Sequence, residues 1–372
     1  MRVICGFLSL LLAATACAAR AIAAEPARVR VVKAEPTADW NARFNNTEGW
    51  IGGDGVFSAL LAPQRVLFLF GDTLLGKVSA GRRRGATMVN NTVGLLSLAD
   101  PHARLRFVSG SAGKDQPAAV FVPDEGGGWF WPQAAIDVKG RLFVFLAHID
   151  KTGKDGPFGF KQIGQCLAAV DNPLDEPTAW RIKQRCLPFA EFEEKRERLW
   201  GAALLAEGDD VYIYGIDDRR KQLGSKELIV ARAPRDKLAD FDAWRFQHDW
   251  QWVATPTGEG GADGFANEFS VSRLPEGQGY LVVYTDSGLS DRILGRVSAS
   301  PAGPWSEPVV LYTCPEMAGD KGVFCYAAKA HPWAVRGNEL LISYCVNAWD
   351  FGRLFDDNEV YRPRFVRVTL GN

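Results

Sequence analysis

The feature that most constrains this fold is a strand-like segment that recurs about every 70 residues. Five segments rich in β-branched and aromatic residues align on one aromatic residue each, namely Phe70, Phe145, Tyr214, Tyr284 and Tyr344. The aligned aromatics are 75, 69, 70 and 60 residues apart, and each interval fits one four-stranded sheet. The sequence therefore predicts an all-β fold, a five-bladed β-propeller with four-stranded blades around a central channel.

A second series of residues supports the same repeat. Trp180, Trp244 and Trp305 each follow a short segment with strand and turn character, at spacings of 64 and 61 residues. Helical periodicity is almost absent from the chain, whereas turn residues separate short apolar runs throughout. We expect these tryptophans in the outer strand pairs of the second, third and fourth blades.

The beginning of the chain has the pattern of a secretory signal peptide. Arg2 precedes an apolar run from Phe7 to Ala16, and small residues follow as far as Ala23. We expect a signal peptide over residues 1–23, an N-terminal extension over 24–49 and a propeller catalytic domain over 50–372. A lipoprotein anchored through Cys17 is the less favoured alternative. The predicted product is a secreted or periplasmic protein, without stable membrane insertion, that acts as a monomer.

Charge argues against one class of partner. The chain has 43 Lys and Arg against 44 Asp and Glu residues, a formal net charge of −1. A nucleic-acid-binding domain is expected to carry a basic excess. The balance therefore excludes DNA and RNA as favoured partners and leaves a polysaccharide as the expected one.

The cysteines predict disulfides rather than a metal site. Export permits disulfides, and we expect bridges between Cys166 and Cys186 and between Cys314 and Cys325, with Cys345 as a buried free thiol. No Cys-x-x-Cys spacing occurs, and the four histidines are scattered. We therefore expect neither a metal nor another cofactor.

Carboxylates define the candidate catalytic site. Asp54 begins the first strand of blade one and Asp72 ends the second, so both are expected at one rim as cross-strand neighbours. Glu268 and Asp286 repeat the arrangement in blade four, although a turn-capping role suits Asp286 better. One carboxylic acid and one carboxylate at a rim suit glycoside hydrolysis. The predicted catalytic residues are Asp54, Asp72 and Glu268.

Aromatic and basic residues suggest contacts with a glycan. Trp50, Trp129, Trp131 and Trp200 lie near the starts of inner strands, where aromatic faces suit sugar rings and packing is the alternative. Basic clusters at Lys77 with Arg82–Arg84, and at Arg219–Lys221, are expected on loops at the same end as the acids. Solvated loop charge is the simpler interpretation, and contact with an anionic glycan is the other.

Several short motifs resemble those of the five-bladed endo-D-arabinanases, a family long catalogued as a domain of unknown function that degrades mycobacterial D-arabinan. They are Trp50-Ile-Gly-Gly-Asp54-Gly, Phe70-Gly-Asp72-Thr73, Trp131-Pro132, Trp200-Gly201, Asn267-Glu268, and Tyr326 with His331-Pro332. The resemblance runs from about Trp50 to Leu370. It implies an inverting, endo-acting furanoside hydrolase with Asp54 and Asp72 as its catalytic aspartates.

The expected substrate-binding residues are Trp50, Trp131, Gln133, Trp200, Asn267, Tyr326 and His331. Two other functions stay open at this point. A carbohydrate-binding propeller would use the same pocket without turnover, and a hydrolase of an anionic glycan would also use the basic clusters.

Overall fold

The computed structural model describes residues 29–371, apart from 62–63, 101–102, 114–115, 155, 157, 258–260 and 276–278. The predicted signal peptide lies outside the described residues. Among the described residues, no helix is both long enough and apolar enough to cross a membrane.

The described part of the chain is built almost entirely from short strands. Strands β1 to β10 are Arg30–Pro36, Glu48–Gly53, Phe57–Leu61, Arg65–Phe70, Thr73–Ser79, Arg82–Val89, Thr92–Ser97, Arg106–Val108, Gly110–Gly113 and Gln116–Ala118. Strands β11 to β20 are Trp129–Val138, Arg141–Lys151, Phe160–Val170, Ile182–Cys186, Glu191–Glu193, Arg196–Glu207, Asp210–Asp218, Glu227–Pro234, Arg245–His248 and Gln251–Val253. Strands β21 to β27 are Phe269–Arg273, Tyr280–Thr285, Arg292–Ser298, Val309–Thr313, Val323–Ala330, Glu339–Ala348 and Pro363–Gly371. Helices α1 to α3 are Ala38–Arg43, Glu316–Gly319 and Arg353–Asp356.

These strands pair into antiparallel sheets that follow one another along the chain. Their strand orders are β3-β4-β7-β8, β11-β12-β13-β14, β15-β16-β17-β18-β19-β20, β21-β22-β23-β24 and β1-β27-β26-β25. Strand β11 packs beside β3 and β16, and β21 packs beside β16 and β25, which is the serial packing of a β-propeller. The all-β prediction is confirmed.

The repeat aromatics occupy equivalent places in these sheets. Each lies in the strand that pairs with the inner strand of its sheet, namely β4, β12, β17, β22 and β26 for Phe70, Phe145, Tyr214, Tyr284 and Tyr344. Trp180, Trp244 and Trp305 follow β13, β18 and β23, each just before the next strand outward. The repeat in the sequence therefore corresponds to a repeat of sheets in the structure.

Two features depart from the predicted architecture. The third sheet has six strands rather than four, and β2, β5 and β6 form a separate three-stranded sheet. In addition, β1 lies within the segment that the sequence assigns to an N-terminal extension, yet it pairs along its length with β27. The beginning and the end of the described chain therefore share one sheet.

The predicted disulfides are not present in the structure, which has free thiols at all five described cysteines. Cys166 and Cys186 are nevertheless direct partners in the pairing of β13 with β14, with their Sγ atoms 2.9 Å apart. The Sγ atoms of Cys314 and Cys325 lie within 4.8 Å of each other. The predicted adjacency is correct, and the predicted bonds are not formed.

One glycine shows how closely adjacent sheets pack. Gly201 lies at an irregularity in β16 with a φ of +71°, where a residue without a Cβ is favoured. A Cβ atom there would lie 2.0 Å from Cγ of Phe145, a fully buried ring in the neighbouring sheet. The repeat aromatic of one sheet therefore occupies the space that a side chain at position 201 would need.

We expect Gly201→Ala to lower the free energy of unfolding by about 3 kcal/mol, because the fully buried ring of Phe145 would have to shift to make room for the methyl group. Gly140→Ala is the matched control, since Gly140 also has a positive φ of +81° but has nothing within 4 Å of an added Cβ. That variant should lose only about 1 kcal/mol. Denaturant unfolding of both variants checks this, and equal losses would contradict it.

Candidate active site

Asp54 and Asp72 lie side by side at one end of the first sheet. Asp54 follows β2 and Asp72 follows β4, and the backbone N–H of Gly71 donates to the carbonyl oxygen of Asp54 at 3.1 Å. A Cβ atom on Gly71 would lie 2.6 Å from Oδ1 of Asp54. Gly71 therefore allows the two aspartates to approach each other, as the cross-strand prediction requires.

Each carboxyl group is held by hydrogen-bond donors from other segments of the chain. The Tyr326 hydroxyl donates to Oδ2 of Asp54 at 2.7 Å. The indole Nε1–H of Trp131 donates to Oδ1 of Asp72 at 2.9 Å, and the Asn90 side chain donates to the same oxygen at 3.2 Å. The two carboxyl groups are thereby fixed in position by different parts of the chain.

The surroundings of the two aspartates give their carboxyl groups different pKa values. Burial, reinforced by the negative charges of Asp72 and Glu268, raises the pKa of Asp54 to about 8. Burial also raises the pKa of Asp72, but the hydrogen bonds from Trp131 and Asn90 limit the rise to about 6. At neutral pH Asp54 therefore holds a proton and Asp72 is ionised.

Glu268 is the third carboxyl group of this cluster. It precedes β21 and accepts from Nζ of Lys329 at 3.4 Å. The ammonium group of Lys329 is buried, donates to the carbonyl oxygens of Gly55 and Ala327, and lies over the ring of Phe57. Lys329 thus places one positive charge among the three acids.

The cluster lies against a cavity of about 880 Å³. The predicted residues that line the cavity are Trp131, Gln133, Asn267, Glu268 and Tyr326. One wall is polar, because Lys226 donates to the Asn267 side chain at 2.5 Å and Asn267 donates to Oε1 of Glu197 at 3.2 Å. Trp131 and Tyr326 connect the cavity to the two aspartates.

Three residues that were predicted to contact the substrate are buried in the structure. Trp50 is buried and stacks on Phe107, and Trp200 is buried against Phe246. His331 is also buried, and its ring nitrogens are bonded to the hydroxyl groups of Ser58 and Ser343. None of the three lines the cavity. Their role is packing, the alternative that the sequence left open for the two tryptophans.

The residues of the first basic cluster do not line the cavity either. Lys77 and Arg82–Arg84 lie on β5 and β6 rather than on a loop. Arg83 is buried and donates to backbone carbonyl groups, including those of Ile51 at 2.9 Å and Val360 at 2.8 Å. Burial lowers its pKa to about 10. Arg83 therefore joins the three-stranded sheet of β2, β5 and β6 to the segment before β27.

The second basic cluster and Asp286 serve mainly structural contacts. Arg219 pairs with Glu227 at 2.8 Å, while Lys221 lines the cavity and donates to the carbonyl oxygen of Glu193. Asp286 accepts from the Ser287 hydroxyl at 3.0 Å and pairs with Arg292. This placement agrees with the turn role predicted for Asp286.

Sequence reasoning missed several residues of the site, namely Asn90, Lys329 and Tyr361. The Tyr361 hydroxyl donates to the backbone carbonyl oxygen of Asp72 at 2.9 Å. Lys329 left a signal, because it is the one cation in the otherwise apolar strand β25. A buried lysine in such a strand indicates nearby carboxylates. Asn90 and Tyr361 left no signal of this kind.

A family model described as "Domain of unknown function (DUF5005)" matches residues 37–370. The chain belongs to the DUF5005 family. This member is 28% identical over 262 residues to Notoamide biosynthesis cluster protein J' of Aspergillus versicolor, covering 61% of this chain and 68% of that protein. It is 32% identical over 143 residues to Notoamide biosynthesis cluster protein J of an Aspergillus strain, with 37% of this chain and 36% of that protein covered.

The fold of this DUF5005 protein is similar to that of a putative hydrolase from Bacteroides ovatus ATCC 8483. The TM-score is 0.71 at 19% identity, with 90% of each chain covered. Glycoside hydrolases occur among the looser matches. One is the α-L-arabinofuranosidase PaAbf62A from Podospora anserina, with a TM-score of 0.47, 11% identity, and 88% of this chain and 93% of that chain covered. The first similarity establishes the fold, and the second has no bearing on the activity.

The raised pKa values predict a stability cost at neutral and alkaline pH. The folded chain binds protons at Asp54 and Asp72 more tightly than the unfolded chain does, so their contribution is most favourable in acid. It is lost as the pH rises from about 4 towards 8. We expect Asp54→Asn and Asp72→Asn to raise Tm at pH 8 by on the order of 5 °C.

Thermal unfolding between pH 4.5 and 8.5 checks this expectation. The gain in Tm should shrink as the pH falls, because the wild-type carboxyl groups then become neutral as well. Asp286→Asn is the control, since it removes a paired carboxylate and should give no gain. A gain that does not change with pH would contradict the electrostatic cause.

Proposed function

We propose that this protein is a glycoside hydrolase that cleaves furanoside linkages in a polysaccharide, with endo-D-arabinanase as its specific form. The observation that supports the proposal is the pair of neighbouring carboxyl groups whose pKa values lie on either side of neutrality. Such a pair supplies an acid and a base at the same pH. The resemblance of the Asp54 and Asp72 motifs to the endo-D-arabinanases supports the choice of substrate.

In the proposed reaction, Asp54 is the general acid. Its proton passes to the glycosidic oxygen as the bond from that oxygen to the anomeric carbon breaks. Asp72 is the general base, which takes a proton from the water that attacks the anomeric carbon from the opposite face. One displacement of this kind inverts the configuration. Burial is the main reason that Asp54 stays protonated at neutral pH, and the negative charges of Asp72 and Glu268 raise its pKa further.

The cavity offers surfaces for the rest of the glycan. Trp131 and Tyr326 present aromatic rings beside the acids, and rings of this kind pack against the apolar faces of sugars. Asn267, Gln133 and the side chains bonded to them offer hydrogen bonds to hydroxyl groups. The cavity volume of about 880 Å³ has room for several sugar residues, as an endo-acting enzyme needs.

The proposal also includes the architecture and the location of the protein. We propose five blades closed into a ring, supported by the five sheets and by the pairing of β1 with β27. We propose an exported monomer, supported by the signal-peptide pattern of the first 23 residues. A carbohydrate-binding propeller without turnover is the alternative, and release of new reducing ends from arabinan would exclude it.

Replacing either aspartate by Asn should lower kcat on D-arabinan by on the order of 100-fold or more, because the amide neither donates nor accepts the proton. Asp286→Asn should retain near-normal activity. Reducing-end release measures all three variants, with circular dichroism to verify folding. Near-normal turnover by both Asp54→Asn and Asp72→Asn would place catalysis elsewhere.

The pH dependence of kcat/KM should be bell-shaped, with limbs near 6 for Asp72 and near 8 for Asp54. Glu268→Gln removes a charge that raises the pKa of Asp54, so the alkaline limb should move to lower pH while the acid limb stays near 6. Glu197→Gln is the control, because Glu197 lines the same cavity without contributing to either shift. An unchanged alkaline limb in Glu268→Gln would contradict the assignment of Asp54 as the acid.

A further inference from the structure

One lip of the cavity is apolar and exposed. Leu223 and Leu289 both line the cavity, and 84% and 46% of their surfaces are accessible to solvent. Their loops are joined through Gly264, whose N–H donates to the carbonyl oxygen of Gly224 at 3.0 Å and whose carbonyl oxygen accepts from Ser287 at 2.9 Å. The two leucines thus belong to one structural unit at the cavity mouth.

This apolar lip leads directly to the proposed acid. Leu289 pairs with Tyr326 in an isolated antiparallel bridge, and the N–H of Ser290 donates to the carbonyl oxygen of Cys325 at 3.1 Å. Tyr326 in turn donates its hydroxyl hydrogen to Asp54. The side of the cavity that carries the leucines is therefore the side on which Asp54 is held.

Two polar side chains of this lip, Lys221 and Ser287, are engaged within the protein. The ammonium group of Lys221 donates to the carbonyl oxygen of Glu193, and the hydroxyl of Ser287 donates to Asp286. The opposite property is found at the polar wall of the same cavity, where Lys226, Asn267 and Glu197 present polar groups. The cavity thus has one apolar end and one wall suited to hydroxyl groups.

The position of the acid determines what this apolar end would contact. A general acid protonates the oxygen of the leaving group, so the leaving group lies on the side of Asp54. Hydroxyl groups placed against leucine side chains would lose bonds to water without replacement. An apolar group would instead gain about 25 cal/mol for each Å² that it buries.

We propose that the leaving-group side of this site takes an apolar aglycone, which gives the protein a further activity on furanosides that carry an alkyl or aryl group. This inference rests on the proposed glycosidase function. The apolar lip formed by Leu223 and Leu289 binds the aglycone, while the polar wall binds the sugar.

Hexyl and methyl α-D-arabinofuranoside test the proposal, because both release an alcohol of similar acidity and differ mainly in apolar surface. The wild-type protein should hydrolyse the hexyl compound with a kcat/KM at least about 10-fold higher, since several buried methylene groups contribute. The double variant L223S/L289S should bring this ratio close to 1.

Leu174→Ser is the matched control, because Leu174 is also 46% exposed but does not line the cavity. It should keep the wild-type ratio. Equal rates on the two glycosides, or an unchanged ratio in the double variant, would overturn the inference while hydrolysis of arabinan still supported the proposed function. If neither arabinan nor the two alkyl glycosides are hydrolysed, the proposed function fails, and calorimetric binding of the hexyl and methyl compounds then decides whether the apolar subsite exists.

Discussion

The candidate site depends on the meeting of the first and last sheets. Tyr326 and Lys329 lie on β25, whereas Asp54 precedes β3, so the contacts among them join residues more than 270 positions apart. The pairing of β1 with β27 places the beginning of the described chain on the last sheet, and Trp40 and Phe44 of that N-terminal segment pack on Phe365. Hydrogen bonds and aromatic packing thus hold together the two ends of the chain that build the site.

Burial of charge is the cost of this arrangement. Three partly buried carboxyl groups lie close together, and burial is the largest cause of the raised pKa values of Asp54 and Asp72. Lys329 offsets part of the repulsion, and hydrogen bonds from Tyr326, Trp131 and Asn90 offset more. The same burial that disfavours folding at neutral pH gives Asp54 and Asp72 different pKa values, so that one acts as an acid and the other as a base. Active sites often carry carboxyl groups with shifted pKa values for this reason.

The tryptophans show how similar residues acquire different roles. Trp50, Trp131 and Trp200 all lie near the inner strands, and the sequence assigns each of them the same alternatives. Alternate residues of a strand point to opposite faces, and a register shift interrupts each of the strands β2, β11 and β16. As a result Trp131 faces the cavity and donates to Asp72, while the other two rings are buried between layers. Side-chain direction at such a shift depends on tertiary packing.

The sequence by itself determined the all-β class, the repeating sheets with their aligned aromatics, the adjacency of Cys166 with Cys186, and the proximity of Asp54 to Asp72. These features follow from local patterns, because strand periodicity and short hairpins are encoded by residues close in sequence. Only the tertiary structure decided that Lys329, Asn90 and Tyr361 support the acids, that Arg83 is buried, and that the third sheet has six strands. Contacts between distant segments depend on how the sheets pack around one another, and no spacing within a single segment encodes that packing.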